Sequence, residues 1–332
     1  MFDPAKCTRI CAVAAALLAC LCAAQPALSQ TFPSKSIRLV NPFTPGGPLD
    51  LLGRALSERL SAAFGVSVIV ENKPGAAGNV GAAEVARAAP DGHTLLLTLF
   101  SIVTSNAHLY DKLAFDPLRD FAPVTALATT DSVLIAHPSV PANSAAELIA
   151  YAKANPGKLN YASAGKASPG HLTGEYFRVA TGAQMTHVPY KGNVEAVRSV
   201  LGGETQVMFT PSTVALPLLK AGKLKALAVY LTERIDELPG VASLGAQGIA
   251  GFDAKSLPNW YGLLAPAGTP RAAIERLNAE TVKALRDDKV AAALKAARIF
   301  VIGNSPEEFA AMIRDDHAAW GRVIRDAGVK GE

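Results

Sequence analysis

Hydrophobic and polar positions alternate along the first third of the chain in a way that predicts strands and helices in turn. Short aliphatic runs over 36–40, 67–71 and 94–99 predict three strands. Leucines at every fourth position over 50–64 predict a helix with one apolar face, and small residues over 78–88 predict a second helix. This alternation is typical of a parallel sheet with right-handed crossovers.

The same alternation begins again near residue 132. The predicted strands are 132–136, 159–163, 185–188, 206–209, 226–230 and 260–265, and the predicted helices are 144–154, 170–181 and 194–201. Two further helices are predicted to end the chain. Ser305, Pro306 and Glu308 have the spacing of a capping box at the start of the last one.

These two sets of elements predict an α/β protein of two hinged lobes, each a mostly parallel sheet flanked by helices. We expect the chain to cross between the lobes near 131–137 and to return near 260–265. Lobe 1 is then predicted to be discontinuous, with residues 30–130 and 258–332, and lobe 2 to hold residues 131–257. Small ligands favour the cleft between such lobes, so we expect the binding site there.

The N-terminal segment has the pattern of a secretory signal. Lys6 and Arg9 precede an apolar run that is shorter than the roughly 20 residues that span a bilayer. Ala27 and Ser29 then supply the small residues that a signal peptidase recognises. We therefore expect residues 1–29 to be removed and the protein to reach the periplasm. Lipidation at Cys20, in a sequence resembling a lipobox, and an uncleaved membrane anchor are the alternatives.

Composition excludes several classes of protein. The 332 residues are 50% hydrophobic and 18% charged, which excludes a disordered chain and a coiled coil. The net charge of +4 is spread along the chain and predicts no nucleic-acid surface. All four cysteines precede residue 30, so we expect the mature chain to have no disulfide and no thiolate metal site.

The motifs that resemble enzyme signatures are incomplete. The G-x-x-G-x-x-G sequence over 75–81 is one residue off the dinucleotide fingerprint. The G-x-x-S-x-G sequence over 165–170 places Ser168 one residue too late for a nucleophile elbow. His171 and Glu175 would supply only two metal ligands. The sequence therefore favours a protein that is not an enzyme and has no metal or cofactor. The remaining histidines are interpreted as structural (His93, His108, His137, His187) or solvated (His317).

Two strand–turn–helix junctions, over 41–50 and 163–171, are the candidate ligand sites. Glycines at Gly46, Gly47 and Gly165 let backbone amides approach a ligand, and a helix N-terminus presents unpaired N–H groups with a partial positive charge. Both junctions are predicted at the carboxyl edge of a sheet, where open α/β sheets bind ligands. They predict an anion site in each lobe, and two ordinary βα turns are the alternative.

These junctions belong to a set of motifs that resembles one family, the periplasmic substrate-binding proteins of tripartite tricarboxylate transporters, or Bug proteins. The motifs are PFTPGG at 42–47, VENKPGAAGN at 70–79, APDG at 89–92, LNYAS at 159–163, HVPYKG at 187–192, AGKL at 221–224 and APAGTP at 265–270. The resemblance implies a type II-like Venus flytrap that closes on a small organic anion, often a carboxylate, without catalysis. It also implies delivery to a membrane permease of two other subunits.

The resemblance also implies ligand-binding residues where this sequence matches the family. They are Phe43, Gly46, Gly47 and Asp50 in the first junction, Ser163, Gly165, Ser168 and His171 in the second, and Lys191 and Gly192 in a later turn. We add Thr44, Ser101, Lys166 and Thr210 as candidate ligand contacts. Asp50 is expected to cap its helix rather than contact an anion, because like charges repel.

The sequence thus predicts a monomeric periplasmic solute-binding protein that captures a small organic anion for a two-subunit permease. A ligand-responsive partner of a membrane sensor is the first alternative, since it needs the same cleft. A secreted hydrolase is the second alternative, and it would need a base aligned with Ser168.

Overall fold

The computed structural model describes residues 32–230, 234–250, 252 and 259–328. The strands are β1 (Ile37–Asn41), β2 (Val68–Asn72), β3 (Thr94–Leu99), β4 (Phe121–Thr130), β5 (Ser132–Ala136), β6 (Asn160–Ser163), β7 (Thr186–Pro189), β8 (Val207–Pro211), β9 (Lys225–Tyr230), β10 (Trp260–Pro266) and β11 (Ile299–Val301). The helices are α1 (Pro48–Phe64), α2 (Asn79–Ala86), α3 (Phe100–Val103), α4 (Asn106–Leu109), α5 (Ala145–Ala154), α6 (Pro169–Thr181), α7 (Asn193–Gly202), α8 (Ser212–Lys220), α9 (Arg271–Leu285), α10 (Asp288–Ala296) and α11 (Pro306–Ala327). The predicted signal segment, with Cys20, lies outside the described residues.

The described strands form two sheets, one in each lobe. Their orders are β11-β4-β10-β3-β1-β2 and β7-β6-β8-β5-β9. In the first sheet, β1, β2 and β3 are parallel, and β10 runs against both of its neighbours. In the second sheet, β6, β7 and β8 are parallel, and β5 runs against both of its neighbours. Most strands of each sheet therefore share one direction, as predicted, and the reversed strands include those by which the chain enters the second sheet and returns to the first.

The chain passes from the first sheet to the second through Asp131 alone, since β4 ends at Thr130 and β5 begins at Ser132. The return strand β10 begins beside this crossing, with Trp260 paired to Thr129 at the end of β4. The crossing residue Asp131 is buried. The crossing at Asp131 and the start of the return strand therefore lie side by side, as a hinge requires.

The helices cover the sheets with the apolar faces that the sequence predicts. Leu52, Leu56 and Leu60 of α1 are at most 1% exposed, and burial of each such side chain contributes about 1.5–3 kcal/mol. Helix α11 packs against both β4 and α6, so the last helix of the chain contacts the layers of both sheets. The predicted capping box at its start is present, with reciprocal bonds between Ser305 and Glu308.

Six elements, α3, α4, β4, α8, α10 and β11, were not predicted from the sequence. Strand β4 is rich in alanine and threonine and holds Pro123, which cannot donate to a neighbouring strand. Its pairing with β10 is irregular between Leu263 and Leu264, where Pro123 is accommodated. Such a strand forms because of its neighbours rather than its own propensity. Among the described residues, none of the helices is long and apolar enough to cross a bilayer.

Candidate ligand-binding site

The carboxyl ends of the parallel strands in both sheets lead to the same crossing. In the first sheet, β3 ends at Leu99 opposite Tyr261, near the start of β10. In the second sheet, β8 ends at Pro211 opposite Ser132, at the start of β5. The loops that follow β1, β3, β6, β7 and β8 therefore border the junction between the lobes, at the sheet edge where α/β proteins bind ligands.

The loop after β1 is held in shape by Asp50. Its carboxylate accepts hydrogen bonds from the Gly46 amide (3.1 Å), Arg54 Nε (2.9 Å) and Asn72 Nδ2 (3.1 Å). Burial opposes ionisation of this carboxyl, but the three donors outweigh burial and lower its pKa to about 2. The expectation that Asp50 caps its helix is therefore wrong: its side chain reaches back to the loop before the helix. The N-cap residue of α1 is Gly47, and no side chain caps this helix end.

This arrangement separates the roles of the two glycines. The Gly46 amide is occupied by Asp50, and Gly46 has a left-handed φ of 90° that favours glycine. Among the described residues, no hydrogen bond is recorded for the Gly47 amide, and a Cβ built on Gly47 would meet no atom within 4 Å. Gly47 therefore borders open space at the N-terminus of a 17-residue helix. Phe43 is half-buried and Thr44 is exposed beside it.

The loop after β6 has an internal hydrogen-bond network. Ser163 is fully buried, and its hydroxyl contacts Gly165 O (2.9 Å), Gly165 N (3.2 Å) and His187 Nε2 (2.7 Å). Ser168 is the N-cap of α6, and its Oγ accepts the amide of His171. Lys166 is exposed in this loop. The Ser163 hydroxyl is therefore engaged within the protein.

Two histidines stack beneath this loop. The rings of His171 and His187 lie 3.9 Å apart, and His171 Nδ1 accepts the amide of Ala167 at 3.0 Å. Burial lowers the pKa of His171 to about 4 and that of His187 to about 3, with the neighbouring positive groups adding to the effect. Both rings are neutral at neutral pH. The sequence interpretation of His187 as structural did not include its pairing with His171, because residues 171 and 187 lie in different elements.

The other histidine that sequence reasoning misplaced is His317. It is half-buried rather than solvated, and its ring lies 4.4 Å from that of His108. Its main-chain oxygen is 3.0 Å from His108 Nε2. Packing of α11 against α4 brings these residues together.

A third loop, after β7, adjoins the second. The Tyr190 amide donates to Ser163 O at 3.0 Å, and a Cβ built on Gly165 would lie 3.3 Å from Tyr190 O. The Lys191 amide is occupied by the Glu195 carboxylate (3.2 Å), whereas the Lys191 side chain is exposed. Gly192 is the N-cap of α7 and borders open space.

Three polar residues lie at or just after the ends of strands. Two of them are predicted ligand contacts, and the third is Asn41. Thr210, at the end of β8, is fully buried, and its Oγ1 has no hydrogen-bond partner among the described residues. Ser101 is buried in α3, directly after β3. Asn41, at the end of β1, was not singled out from the sequence; its Oδ1 accepts the Phe43 amide, and its buried Nδ2 has no partner within the described chain. A polar residue that ends an apolar strand was the available signal for Asn41.

The described residues do not assemble an obvious catalytic group around Ser168. Its Oγ contacts the backbone amide of His171 and not an imidazole nitrogen. Within the same part of the chain there is no group of three or more histidine, cysteine, aspartate or glutamate residues that could hold a metal ion.

Comparisons with known proteins agree with the arrangement of lobes and loops. The family model described as the tripartite tricarboxylate transporter family receptor matches residues 52–329. The chain is 32% identical over 324 residues to the protein BugT of Bordetella pertussis, covering 97% of this chain and 98% of BugT. It is 36% identical over 298 residues to a UPF0065 protein in the tcbD-tcbE intergenic region of Pseudomonas sp. (strain P51), covering 88% of this chain and 86% of that protein.

Two similar solved structures contain dicarboxylates. Rpa4515 of R. palustris with adipate superimposes with a TM-score of 0.81 at 32% identity, covering 91% of this chain and 100% of that chain. MatC of Rhodopseudomonas palustris with bound malate superimposes with a TM-score of 0.78 at 30% identity, covering 88% of this chain and 100% of that chain. On the family match and these similarities, the chain belongs to the tripartite tricarboxylate transporter receptor family, which includes the Bug proteins.

Proposed function

We propose that this protein is a periplasmic solute-binding protein that captures a small dicarboxylate or related organic anion between its two lobes. The observation that carries the proposal is the position of Gly47 at the uncapped N-terminus of α1, beside open space at the junction between the lobes. A helix N-terminus favours a negative group because of its free amides and its dipole. The adipate and malate in the similar structures support a carboxylate as the ligand.

The lobes in this proposal follow the sheets. Residues 30–130 and 258–332 form lobe 1, and residues 131–257 form lobe 2. The single-residue crossing at Asp131 supports the first boundary. The second boundary falls among residues that lie outside the described part of the chain.

The ligand is held by groups from both lobes. Lobe 1 contributes the Gly47 amide and the first turn of α1, with Phe43, Thr44 and Ser101 around them. Lobe 2 contributes the N-termini of α6 and α7, with Ser168, Thr210, Gly192 and the side chains of Lys166 and Lys191. Gly46, Asp50, Ser163, Gly165 and His171 act by fixing the loops, because their polar atoms are engaged in internal hydrogen bonds.

The strength of such contacts is sufficient for capture of a dilute solute. Charge-assisted hydrogen bonds contribute about 1.5–3 kcal/mol each, and a helix N-terminus contributes up to about 2 kcal/mol. Micromolar binding needs about 8 kcal/mol net. Four or five donors reach this value after the cost of ordering the ligand and closing the lobes.

In this proposal the loaded monomer delivers its ligand to a membrane permease of two other subunits, after export that removes residues 1–29. The family's description as a transporter receptor supports this role. Deletion of the gene is expected to abolish uptake of the bound acid by the host, and normal uptake in the deletion strain contradicts delivery.

Isothermal titration calorimetry tests the binding step. The mature protein is unfolded and refolded to remove retained ligand, and is then titrated with malate, adipate and citrate. We expect a Kd below about 100 µM for at least one acid, which corresponds to about 5.5 kcal/mol. The neutral diamides of the same acids are matched controls and are expected not to bind. Absence of binding by every acid, or equal binding of acid and diamide, contradicts the proposal.

A further inference from the structure

The three contacts of the Ser163 hydroxyl can all be hydrogen bonds in only one pattern of protons. Gly165 O can only accept a hydrogen bond, so it takes the single proton of the Ser163 hydroxyl. The Gly165 amide can only donate, so it donates to Ser163 Oγ. The third partner, His187 Nε2, lies 2.7 Å away and must therefore be the donor. We therefore expect His187 to be the neutral tautomer that carries its proton on Nε2.

The position of His187 is fixed by packing against two other rings. Its ring lies 3.9 Å from that of His171 and 4.9 Å from that of Tyr161, measured between centroids. Tyr161 is itself held by a hydrogen bond from its hydroxyl to Glu175 (2.5 Å), and Glu175 is paired with Arg178 (2.5 Å). The Nε2–H group of His187 therefore points at Ser163 from a rigid base.

Ser163 transmits this constraint to the loop that precedes α6. Its hydroxyl contacts both the amide and the carbonyl of Gly165, which has a φ of 122° that few residues other than glycine adopt. Two residues further along the loop, the amide of Ala167 donates to His171. The two stacked histidines thus hold the loop at both ends of the segment 165–167.

We propose that His187 is a positioning residue for anion binding: its Nε2–H orients the Ser163 hydroxyl, which fixes the Gly165 peptide and presents the loop before α6 to the ligand. The proposal rests on the function proposed above, since it assigns the loop to the anion site. Pre-organisation of this kind raises affinity by lowering the cost of ordering the loop on binding.

Two substitutions separate a donor role from a packing role. In His187→Gln the side-chain amide retains a donor near the position of Nε2, whereas His187→Leu retains bulk and removes the donor. We expect His187→Leu to weaken binding of the dicarboxylate probe, adipate or malate, about tenfold, and His187→Gln to remain within about threefold of the unmodified protein. Equal affinities for the unmodified protein and His187→Leu, or equally weak binding by both variants, overturn the proposal.

A matched control exists in the same sheet, at the end of β5 that lies away from the crossing. His137 Nδ1 and Ser139 Oγ are also 2.7 Å apart, just after β5, which begins at the crossing and leads away from it. His137→Leu removes a histidine–serine contact of equal length and is expected to leave the affinity unchanged. A double-mutant cycle of His187→Leu with Ser163→Ala should give a non-additive loss, because both substitutions break the same contact. Additive losses contradict the proposal.

The tautomer of His187 can be measured in the unmodified protein by ¹⁵N NMR of the imidazole ring. We expect a protonated Nε2 and an unprotonated Nδ1, and an Nδ1–H tautomer overturns the proposal even if His187→Leu fails to fold. The two proposals fail in different ways. If the unmodified protein binds no carboxylate, the proposed function fails, whereas an Nδ1–H tautomer in a protein that binds its acid refutes only the role of His187.

Discussion

Arg298 and Asp131 join the edge strand of the first sheet to the residue at which the chain crosses into the second. Arg298 Nε lies 2.9 Å from Asp131 Oδ2, and a second guanidinium nitrogen contacts the same oxygen. A third nitrogen contacts Glu237, in the segment that follows β9, at 2.5 Å. Ser212, at the start of α8, donates to Asp131. Arg298, which directly precedes β11 of the first sheet, thus contacts both the crossing residue and the segment that follows β9 of the second sheet.

Loss of this arginine is expected to destabilise the protein strongly. The Asp131 side chain is 2% exposed and that of Arg298 is 15% exposed, so Arg298→Ala leaves a buried carboxylate without its counter-charge. Breaking such a pair lowers the free energy of unfolding by about 3–5 kcal/mol. Arg271, whose contacts with Glu275 and Glu307 are exposed, is the control, and Arg271→Ala is expected to cost less than about 1 kcal/mol. Urea unfolding measures both free energies. Equal losses for Arg298→Ala and Arg271→Ala would contradict a larger contribution from the buried pair with Asp131.

Gly47→Ala is expected to weaken anion binding without preventing folding. Gly47 has a φ of −83°, which alanine also adopts, and its Cβ would project into open space at the proposed site. We expect a loss of affinity of about tenfold, which is about 1.4 kcal/mol. Gly202→Ala, at the end of α7 and also beside open space, is the control; it should keep the affinity and gain up to about 1 kcal/mol of stability. Calorimetry and urea unfolding measure both quantities.

Stability should fall in acid because of the stacked histidines. Their pKa values of about 4 and about 3 lie below the ordinary value near 6.5, so the unfolded chain takes up these protons first. Stability is therefore complete above about pH 6.5 and is lost as the pH falls towards 4, by up to about 1.4 kcal/mol per pH unit for each histidine. Urea unfolding at pH 7, 6 and 5 measures the slope. His171→Gln should reduce the slope, and an unchanged slope contradicts this source of the acid sensitivity.

Asp316→Asn is expected to stabilise the protein at neutral pH. Burial, together with the neighbouring Asp315, raises the pKa of Asp316 to about 6, although the hydrogen bond from Trp260 Nε1 (2.6 Å) opposes the shift. A carboxyl group with a raised pKa favours folding below about pH 4, and this contribution is lost as the pH rises through 6. The asparagine oxygen can still accept the indole proton and carries no charge. We expect a gain of about 1–2 kcal/mol at pH 7 and little at pH 4.

The neighbouring Asp315 provides the control for this substitution. Its side chain is exposed, so Asp315→Asn should change the free energy of unfolding by less than about 0.5 kcal/mol. Thermal or urea unfolding of both variants at pH 4 and 7 separates them. A gain from Asp316→Asn that is as large at pH 4 as at pH 7 contradicts the assignment to the raised pKa.

Elements whose signals are local in sequence were predicted well. The leucine spacing of α1, the bounds of β3 and β5, and the capping box of α11 each depend on residues within a few positions of one another. Strand β4 was missed because it depends on pairing with β10 and β11, which come more than a hundred residues later. Its Ala, Thr and Pro residues carry little strand signal of their own.

The same distinction applies to the candidate site. Glycine-rich junctions after strands could be recognised from spacing, and they lie at the sheet edges that border the crossing. What each side chain does there could not be predicted. Asp50 holds the Gly46 amide, and His187 reaches Ser163 from another strand, because tertiary packing decides these contacts. The Arg298–Asp131 pair, separated by 167 positions, had no sequence signal at all.

A crystal structure of the mature protein with adipate or malate tests the central claim most directly. The account predicts a carboxylate group between the lobes, with an oxygen about 2.7–3.2 Å from the Gly47 amide and the other end of the ligand at the N-terminus of α6 or α7. An acid bound outside the junction between the lobes, or one that leaves the Gly47 amide in contact with solvent alone, would contradict it.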